Sequence, residues 1–194
     1  MHALSKIIFA LTATASLGFT GCQQVVKPVQ STPTLEAAKP NNQFNLEGKI
    51  GVKTPEQSGS AFYTWVQNQD NFDIQLSGIL GIGKTIIAGK PGEVTLNSSK
   101  TGQITAATPE ELLERATGWV TPITHIIDWV QARPATKNAK TQTDSMQRIS
   151  QIIEDDWIVD LSYNNDATLP NKLILKQQLE AGQENRITMV IQNR

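Results

Sequence analysis

Residues 78–85 (GILGIGKT) decide between two folds for this chain. The stretch matches the phosphate-loop pattern G-x-x-x-x-G-K-[ST], which binds nucleotide phosphates only when a strand precedes the loop and a helix follows it. Gly89, Pro91 and Gly92 come too soon afterwards for such a helix, and residues 85–87 favour a strand. The stretch is therefore predicted to connect two antiparallel strands, without a helix N-terminus for phosphate.

Alternation of apolar and polar residues continues on both sides of this connection. Phe44, Leu46, Ile50 and Val52 alternate with polar residues, which is typical of a strand with one buried face. Similar stretches recur between short polar turns, and the pattern predicts a mainly β, antiparallel fold of about ten or eleven strands, bent into a sandwich or barrel. After a polar connection, the last strands are expected near residues 146–153, 157–163, 172–179 and 186–192.

Two helices are predicted to interrupt the strands. Thr108 as N-cap, Pro109 in the first turn and Glu111 at the third helical position indicate a capping box. Gly118 is expected to end this helix. A second helix is expected to begin at residues 121–122 and to end at Pro134, with an apolar stripe on one side. The stripe consists of Ile123, Ile126, Ile127 and Val130.

The first residues predict export and lipidation. Lys6 precedes an apolar run, residues 7–19, that is too short to span a bilayer comfortably, so residues 1–21 are predicted to be a cleaved signal peptide. Cys22, the only cysteine, follows Phe-Thr-Gly and resembles the cysteine of the bacterial lipobox. It would carry palmitate-type N-acyl and S-diacylglyceryl groups. The alternative is a plain secretory signal followed by an unpaired thiol.

The rest of the chain divides into a tether and a domain. Residues 22–43 contain three prolines and few apolar side chains, so they are expected to form a lipidated N-terminus and flexible tether. Residues 44–194 form the predicted domain. Gln23, rather than an aspartate, after the lipidated cysteine favours the outer membrane, with the anchor on its periplasmic face. The net charge of −1 becomes more negative when the leader is removed, so no nucleic-acid partner is expected.

The sequence gives no sign of catalysis or of a resident cofactor. His125 has no partner in the sequence pattern, and His2 is lost with the leader. There is no His/Cys cluster with metal-ligand spacing and no nucleophile elbow. The chain is therefore predicted to be neither an enzyme nor a metal or cofactor protein.

An ordered series of motifs behind the lipobox resembles the outer-membrane lipoprotein receptor family LolB. The motifs are F-x-L-x-G-K-I-x-V at 44–52, F-x-x-W at 62–65, F-x-I-x-L-x-G-x-L-G at 72–81, P-E-E-L-L at 109–113, P-I-x-x-I-x-x-W-V at 122–130, D-W-x-V at 156–159 and L-P-x-K-L at 169–173. The family usually has proline at the position of Ile79 and glycine near Ala132.

The resemblance implies an incomplete antiparallel β-barrel whose helices plug or cover an apolar cavity. It implies a chaperone-like, monomeric receptor that accepts acylated lipoproteins from the periplasmic carrier LolA and inserts them into the outer membrane without using nucleotide. Residues expected to face or border the cavity, with ordinary core packing as the alternative, are Trp65, Ile123, Ile126, Ile127, Trp129 and Val130. A second possible function is an outer-membrane scaffold that binds a protein partner.

The glycine loop has two interpretations. Ile79, Leu80 and Ile82 either project as an apolar tip or fold back over the end of the sheet. The resemblance to LolB assigns to Leu80 a role in delivery to the inner leaflet of the outer membrane. Ile79 and Ile82 are expected to support it there.

Overall fold

Eleven strands and two α-helices form the part of the chain that the structure, a computed structural model, describes: residues 41–78, 84–99, 101–118 and 120–194. The predicted leader, the lipidation site Cys22, nearly all of the tether, and the loop residues Ile79, Leu80 and Ile82 lie outside these residues. The division of the chain after residues 21 and 43 stays a prediction.

The elements follow the chain in a simple order. The strands before the helices are β1 (Gln43–Lys53), β2 (Ser58–Asn68), β3 (Asn71–Ser77), β4 (Thr85–Lys90), β5 (Glu93–Ser98) and β6 (Gly102–Ala106). The helices are α1 (Pro109–Thr117) and α2 (Ile123–Trp129). The strands after them are β7 (Lys140–Thr143), β8 (Ile149–Glu154), β9 (Trp157–Ser162), β10 (Lys172–Gln178) and β11 (Glu184–Asn193).

All eleven strands belong to one antiparallel sheet. Its order is β6-β5-β4-β3-β2-β1-β11-β10-β9-β8-β7, so β1 lies in the centre, between β2 and β11. Strands β6 and β7 are the two edges, and the segment that carries both helices joins one edge to the other. The predicted mainly β fold of ten or eleven antiparallel strands is confirmed, and the sheet is open rather than closed.

The connection around the glycine loop joins neighbouring antiparallel strands, as predicted. Strand β3 ends at Ser77, β4 begins at Thr85, and Leu76 pairs with Thr85. Strand β4 continues to Lys90 without a helix. The described strands on either side therefore exclude the strand–loop–helix geometry that a phosphate loop requires.

The predicted start and end of α1 are confirmed. The Thr108 hydroxyl accepts a hydrogen bond from the Glu111 backbone N–H at 3.1 Å, and the Glu111 carboxylate accepts one from the Ala107 N–H at 2.9 Å. Gly118 ends the helix with φ of 72°, a left-handed conformation that glycine adopts without steric cost. The Thr108 hydroxyl thus satisfies one of the N–H groups that the first helical turn leaves free.

Helix α2 is shorter than the sequence predicts. It ends at Trp129, not at Pro134, because Ala132 has φ of 55° and turns the chain out of the helix. The Arg133 N–H bonds back to the Asp128 carbonyl at 3.0 Å and closes this turn. A left-handed alanine costs about 1–2 kcal/mol, so the position favours glycine.

Strand β7 was not expected. Lys140–Thr143 lies in the stretch predicted to be a polar connection, and all four residues are exposed. An edge strand with no buried face lacks the alternation on which strand prediction depends. Its pairing with β8 identifies it only in the folded protein.

One face of the sheet forms the core together with both helices. Buried residues of this core cluster come from β1, β2, β3, β4, β5, β8, β9, β10 and β11 and from α1 and α2. Leu46, Leu112, Trp129, Leu173 and Ile187 are among those almost completely shielded from water. Alternation alone does not show which face of each strand points inward. The buried core residues identify that face.

Candidate functional site

An apolar cavity of about 290 Å³ lies between the inner face of the sheet and the helices. Strands β1 to β5 and β11 form one side of it, and α1 and α2 form the other. Its apolar wall includes Ile50, Val52, Leu76, Ile87, Leu96, Leu113, Ala116, Ile187 and Met189. Such a wall favours hydrocarbon over water.

The structure divides the predicted cavity residues into two groups. Trp65, Ile123 and Ile126 line the cavity, whereas Ile127, Trp129 and Val130 do not. Trp129 and Val130 are completely buried in the core, and Ile127 packs against that core. For these three residues the structure shows the alternative, ordinary core packing, rather than a place in the cavity wall.

Trp65 presents its ring to the cavity while its polar edge is satisfied elsewhere. The indole Nε1–H donates to the Gln67 Oε1 at 2.8 Å, and the Gln67 amide donates to the Gln69 carbonyl at 2.7 Å. Phe44 contacts the ring edge-on, with centroids 5.5 Å apart. Gln67 was not singled out from the sequence, and it allows an indole to stand in an apolar wall without an unpaired N–H.

Two residues of the wall carry a buried hydroxyl group that has no hydrogen-bond partner among the described residues. They are Tyr63 and Thr121, which line the cavity and are each 3% exposed. Burial raises the pKa of Tyr63 to about 12, although the Arg194 guanidinium partly opposes this rise. The phenol is therefore a protonated donor at neutral pH. No sequence pattern identifies either group.

Helix α2 is fixed to the turn between β8 and β9. His125 Nε2 lies 2.7 Å from the Asp155 Oδ2, a carboxylate 30 residues away that the sequence pattern does not identify as its partner. One turn later the Trp129 indole N–H donates to the Glu154 carboxylate. These two contacts fix the position of α2, and the first half of this helix forms part of the cavity wall.

Glu154 is a buried carboxylate, 5% exposed, with several donors directed at it. Besides Trp129, the Ala135 N–H donates to it at 2.9 Å and the Thr136 N–H at 2.7 Å. Burial by itself would raise the pKa of Glu154, but the hydrogen bonds from Trp129, Ala135 and Thr136 outweigh it and lower the pKa. The carboxylate thus connects the end of β8 to the segment that follows α2.

The two helices are joined to each other and to the sheet edge. The Glu110 carboxylate accepts hydrogen bonds from the Thr124 N–H and hydroxyl, both at 2.9 Å. The Arg115 guanidinium donates to the Thr105 carbonyl of β6 at 2.8 Å. Both contacts are exposed, so they cost less to break than the buried Glu154 cluster.

The described residues contain neither a metal-binding cluster nor a membrane-spanning helix. No group of three His, Cys, Asp or Glu side chains among them is placed to hold a metal ion. None of the helices in the described part of the chain has the length and apolar character needed to cross a membrane.

The open antiparallel sheet and the two helices together enclose an apolar cavity. This arrangement defines the class: a protein with a hydrophobic cavity. The family model described as "Outer membrane lipoprotein LolB" matches residues 42–193. The chain belongs to the LolB family of outer-membrane lipoproteins.

Two relatives identified by sequence agree with this assignment. The outer-membrane lipoprotein LolB of Stutzerimonas stutzeri is 37% identical over 77% of this chain and 72% of its own length. That of Pseudomonas savastanoi is 34% identical over 96% of this chain and 93% of its own. A solved LolA superfamily protein from Nitrosomonas europaea aligns over 80% of this chain and 88% of its own, with 10% identity and a TM-score of 0.44.

Proposed function

We propose that this protein accepts acylated lipoproteins from a LolA-type periplasmic carrier and inserts them into the outer membrane. The observation that supports the proposal is an apolar cavity, walled by the sheet and both helices, in a member of the LolB family. Acyl chains are the part of the cargo that needs this shelter, since each CH₂ moved from water to an apolar site gains about 0.8 kcal/mol.

The proposed transfer depends only on differences between apolar sites. A chain that moves from carrier to receptor to bilayer remains out of water throughout, so the free energy of each step is the difference between two hydrophobic environments. Such a step needs no nucleotide and no covalent chemistry. The proposal accordingly includes no catalytic residue.

The cavity must widen when cargo enters. Its volume of about 290 Å³ is just below the range for small-molecule pockets, roughly 300–1,000 Å³, and the proposed cargo carries several acyl chains. The helices are the movable wall in this proposal, because α1 and α2 contribute side chains to the cavity and lie outside the hydrogen-bonded sheet.

The proposed location is the periplasmic face of the outer membrane, reached through a lipid anchor on Cys22. The lipobox-like sequence before Cys22 supports the anchor, and the relatives are named outer-membrane lipoproteins. Residues 22–43 would tether the monomeric domain at a distance of roughly 25 Å from the bilayer, as estimated for a flexible coil.

The glycine loop is proposed as the part that touches the bilayer, with Leu80 at its tip and Ile79 and Ile82 beside it. Apolar surface next to the loop supports this assignment. Phe62 is 55% exposed on the outer face of β2, and a Cβ atom added at Gly78, just before the loop, would lie 4.0 Å from its ring. An exposed aromatic ring beside an apolar segment favours insertion at a lipid interface.

Filling the cavity tests the receptor function. Ala116 lies in the wall on α1, so Ala116→Trp should occupy space needed by acyl chains and slow cargo acceptance by about tenfold, or roughly 1.4 kcal/mol. The measurement is transfer of a fluorescent acylated lipoprotein from purified LolA-type carrier to the full chain.

Glu114→Trp is the matched control for this experiment, since it adds the same side chain to the exposed side of the same helix. It should transfer cargo normally. Equal transfer by both variants would contradict the role of the cavity. Complete absence of acyl-lipid uptake by the unaltered chain would instead favour the scaffold function.

The loop is tested by separating uptake from release. Leu80→Glu should load cargo from the carrier normally but release it into liposomes about tenfold more slowly, because a carboxylate resists entry into an apolar interface. The readout is fluorescence of labelled lipoprotein in the vesicle fraction. Leu80→Ile, which keeps the side chain apolar, should release cargo at the original rate, and normal release by Leu80→Glu would remove Leu80 from the mechanism.

A further inference from the structure

The chain enters the domain at a defined end of the sheet. The Asn42 carbonyl accepts a hydrogen bond at 2.9 Å from the N–H of Gln69, a residue of the turn between β2 and β3. The Arg133 guanidinium donates to the Asn42 Oδ1 at 2.6 Å. The Gln43 side-chain amide donates to the Asn68 Oδ1 at 3.1 Å. These contacts fix the first residues of the domain beside the β2–β3 turn, and this end of the sheet is the entry end.

The glycine loop leaves the sheet at the opposite end. Strand β1 begins at the entry end and reaches Lys53, which pairs with Ser58 of β2. Strand β3 also begins at the entry end and ends at Ser77. The next residue, Gly78, lines a surface cleft with Lys53 and Ser58, and this end of the sheet is the loop end. Because β1 has 11 residues, the two ends lie about 33 Å apart at roughly 3.3 Å per residue.

The apolar cavity lies toward the loop end of the domain. On β1, Ile50 and Val52 line the cavity, whereas Leu46, nearer the entry end, is buried in the core outside the lining. Val94, at the entry end of β5, is likewise buried outside the lining. Gln57, in the turn that connects β1 to β2 at the loop end, does line it. An acyl chain therefore has its shortest route into and out of the cavity at the loop end.

We propose that the domain stands inverted on its anchor at the bilayer. The loop end faces the lipid, and the entry end, to which the tether is attached, is turned away from it. This inference rests on the proposed function, which assigns the lipid anchor to Cys22 and delivery to the outer membrane. In this orientation the chain from Cys22 to Asn42 spans the length of the sheet, so its length decides whether the receptor serves the membrane that holds its own anchor.

The number of residues in the tether is sufficient for this span. Asn42 follows Cys22 by 20 positions, over which an extended chain reaches at most about 70 Å, at roughly 3.3–3.6 Å per residue. The span required is about 33 Å. A tether of fewer than about ten residues would hold the loop end away from the bilayer even when fully extended.

Shortening the tether tests the inference. Deletion of residues 27–38 removes one lysine and one glutamate, so the net charge does not change, and the remaining tether reaches at most about 29 Å. The lipidated, shortened chain in vesicles should take up a fluorescent acylated lipoprotein from the carrier normally. It should release that cargo into its own vesicles at least about tenfold more slowly, because a linker that is too short prevents the two sites from being engaged together.

Two controls isolate the length of the anchored tether. Replacement of residues 27–38 by an alternating glycine–serine segment of equal length should leave release at the original rate. The Cys22→Ala forms of the full-length and shortened chains have no anchor and should release cargo into vesicles equally fast. Normal release by the shortened lipidated chain would overturn the inference. Slow release by the glycine–serine chain, or by the shortened Cys22→Ala chain alone, would do the same.

A measurement without cargo separates this inference from the proposed function. A fluorophore is attached to a cysteine at exposed Ser58, on the loop end, or at exposed Asn71, on the entry end, while lipid blocks the thiol of Cys22. Energy transfer to labelled lipid headgroups should be stronger from Ser58→Cys than from Asn71→Cys in the lipidated full-length chain, and shortening the tether should abolish or reverse this order.

Equal transfer from both positions of the full-length chain, or the same order in both chains, would overturn the inverted orientation while leaving the receptor function intact. The expected change of order, combined with no uptake of cargo by the unaltered chain, would instead overturn the receptor function and retain the orientation.

Discussion

The variant Gly48→Ala is expected to lose at least about 3 kcal/mol of folding free energy. Gly48 lies in β1, at an irregularity where the register with β11 shifts between Glu47 and Gly48. A Cβ atom at this position would lie 1.9 Å from the backbone oxygen of Val190 and 2.9 Å from its carbonyl carbon. Because backbone atoms of a central strand cannot move aside cheaply, β1 and β11 would have to separate. Urea unfolding followed by tryptophan fluorescence measures the change.

A second glycine in the same strand provides the control. A Cβ atom at Gly51 would meet only the Gly59 oxygen, at 3.8 Å, which is ordinary van der Waals contact. Gly51→Ala should therefore stay within about 1 kcal/mol of the unaltered chain. Equal stability of the two variants would mean that β1 and β11 do not approach each other as closely as described.

The features that the sequence predicts well are those set by neighbours along the chain. Alternation identifies β1, because Leu46 faces the core while Glu47 and Lys49 face outward. The capping box of Thr108 and Glu111 is also a local signal, since both residues lie within one helical turn. Each of these signals concerns residues fewer than five positions apart, so no tertiary information is needed.

The sequence does not predict strand β7 or the early end of helix α2. Strand β7 exists because it pairs with β8, and its own residues, all exposed, show no alternation. Helix α2 ends early because of the conformation of Ala132, a residue type that gives no warning of a left-handed turn. Pairing with β8 therefore defines the strand, and the left-handed conformation of Ala132 defines the end of the helix.

The sequence also does not predict which apolar residues of α2 line the cavity. The apolar stripe of α2 predicts a buried helix face, but Ile123 and Ile126 face the cavity while Trp129 is buried against Glu154. Periodicity cannot distinguish an enclosed space from a packed core, because both require apolar side chains. Only the arrangement of the sheet around the helices makes that distinction. The buried carboxylate of Glu154 fixes the end of α2, but nothing in the sequence distinguishes Glu154 from other charged residues that precede a turn.

Glu154→Gln is expected to destabilise the fold by about 3 kcal/mol at neutral pH. The substitution keeps the shape of the side chain but replaces one acceptor oxygen by an NH₂ donor. The carboxylate oxygens accept from Trp129, Ala135 and Thr136, and an amide would set donor against donor at one of these contacts. The bonds that remain also lose the assistance of a full negative charge. Equilibrium urea unfolding of both proteins gives the difference.

The same pair of proteins has a predictable dependence on pH. The pKa of Glu154 in the folded state lies below its ordinary value of 4.5, so the unfolded chain binds the proton more readily. The stabilising contribution of Glu154 is complete above about pH 4.5 and is lost as the pH falls through the lower, folded-state pKa. The stability gap between the unaltered chain and Glu154→Gln should therefore be largest near neutrality and should close on acidification.

The exposed Glu93→Gln variant distinguishes this effect from a general response to lost charge. Glu93 lies 3.8 Å from Lys90 on the surface, with both side chains more than half exposed, and its replacement should change stability by less than about 0.5 kcal/mol. A Glu154→Gln variant as stable as Glu93→Gln, or a gap that stays constant on acidification, would show that the buried carboxylate does not hold the end of α2. In that case the cavity wall would need another anchor, and the His125–Asp155 contact, which also joins α2 to the turn that follows β8, is the candidate.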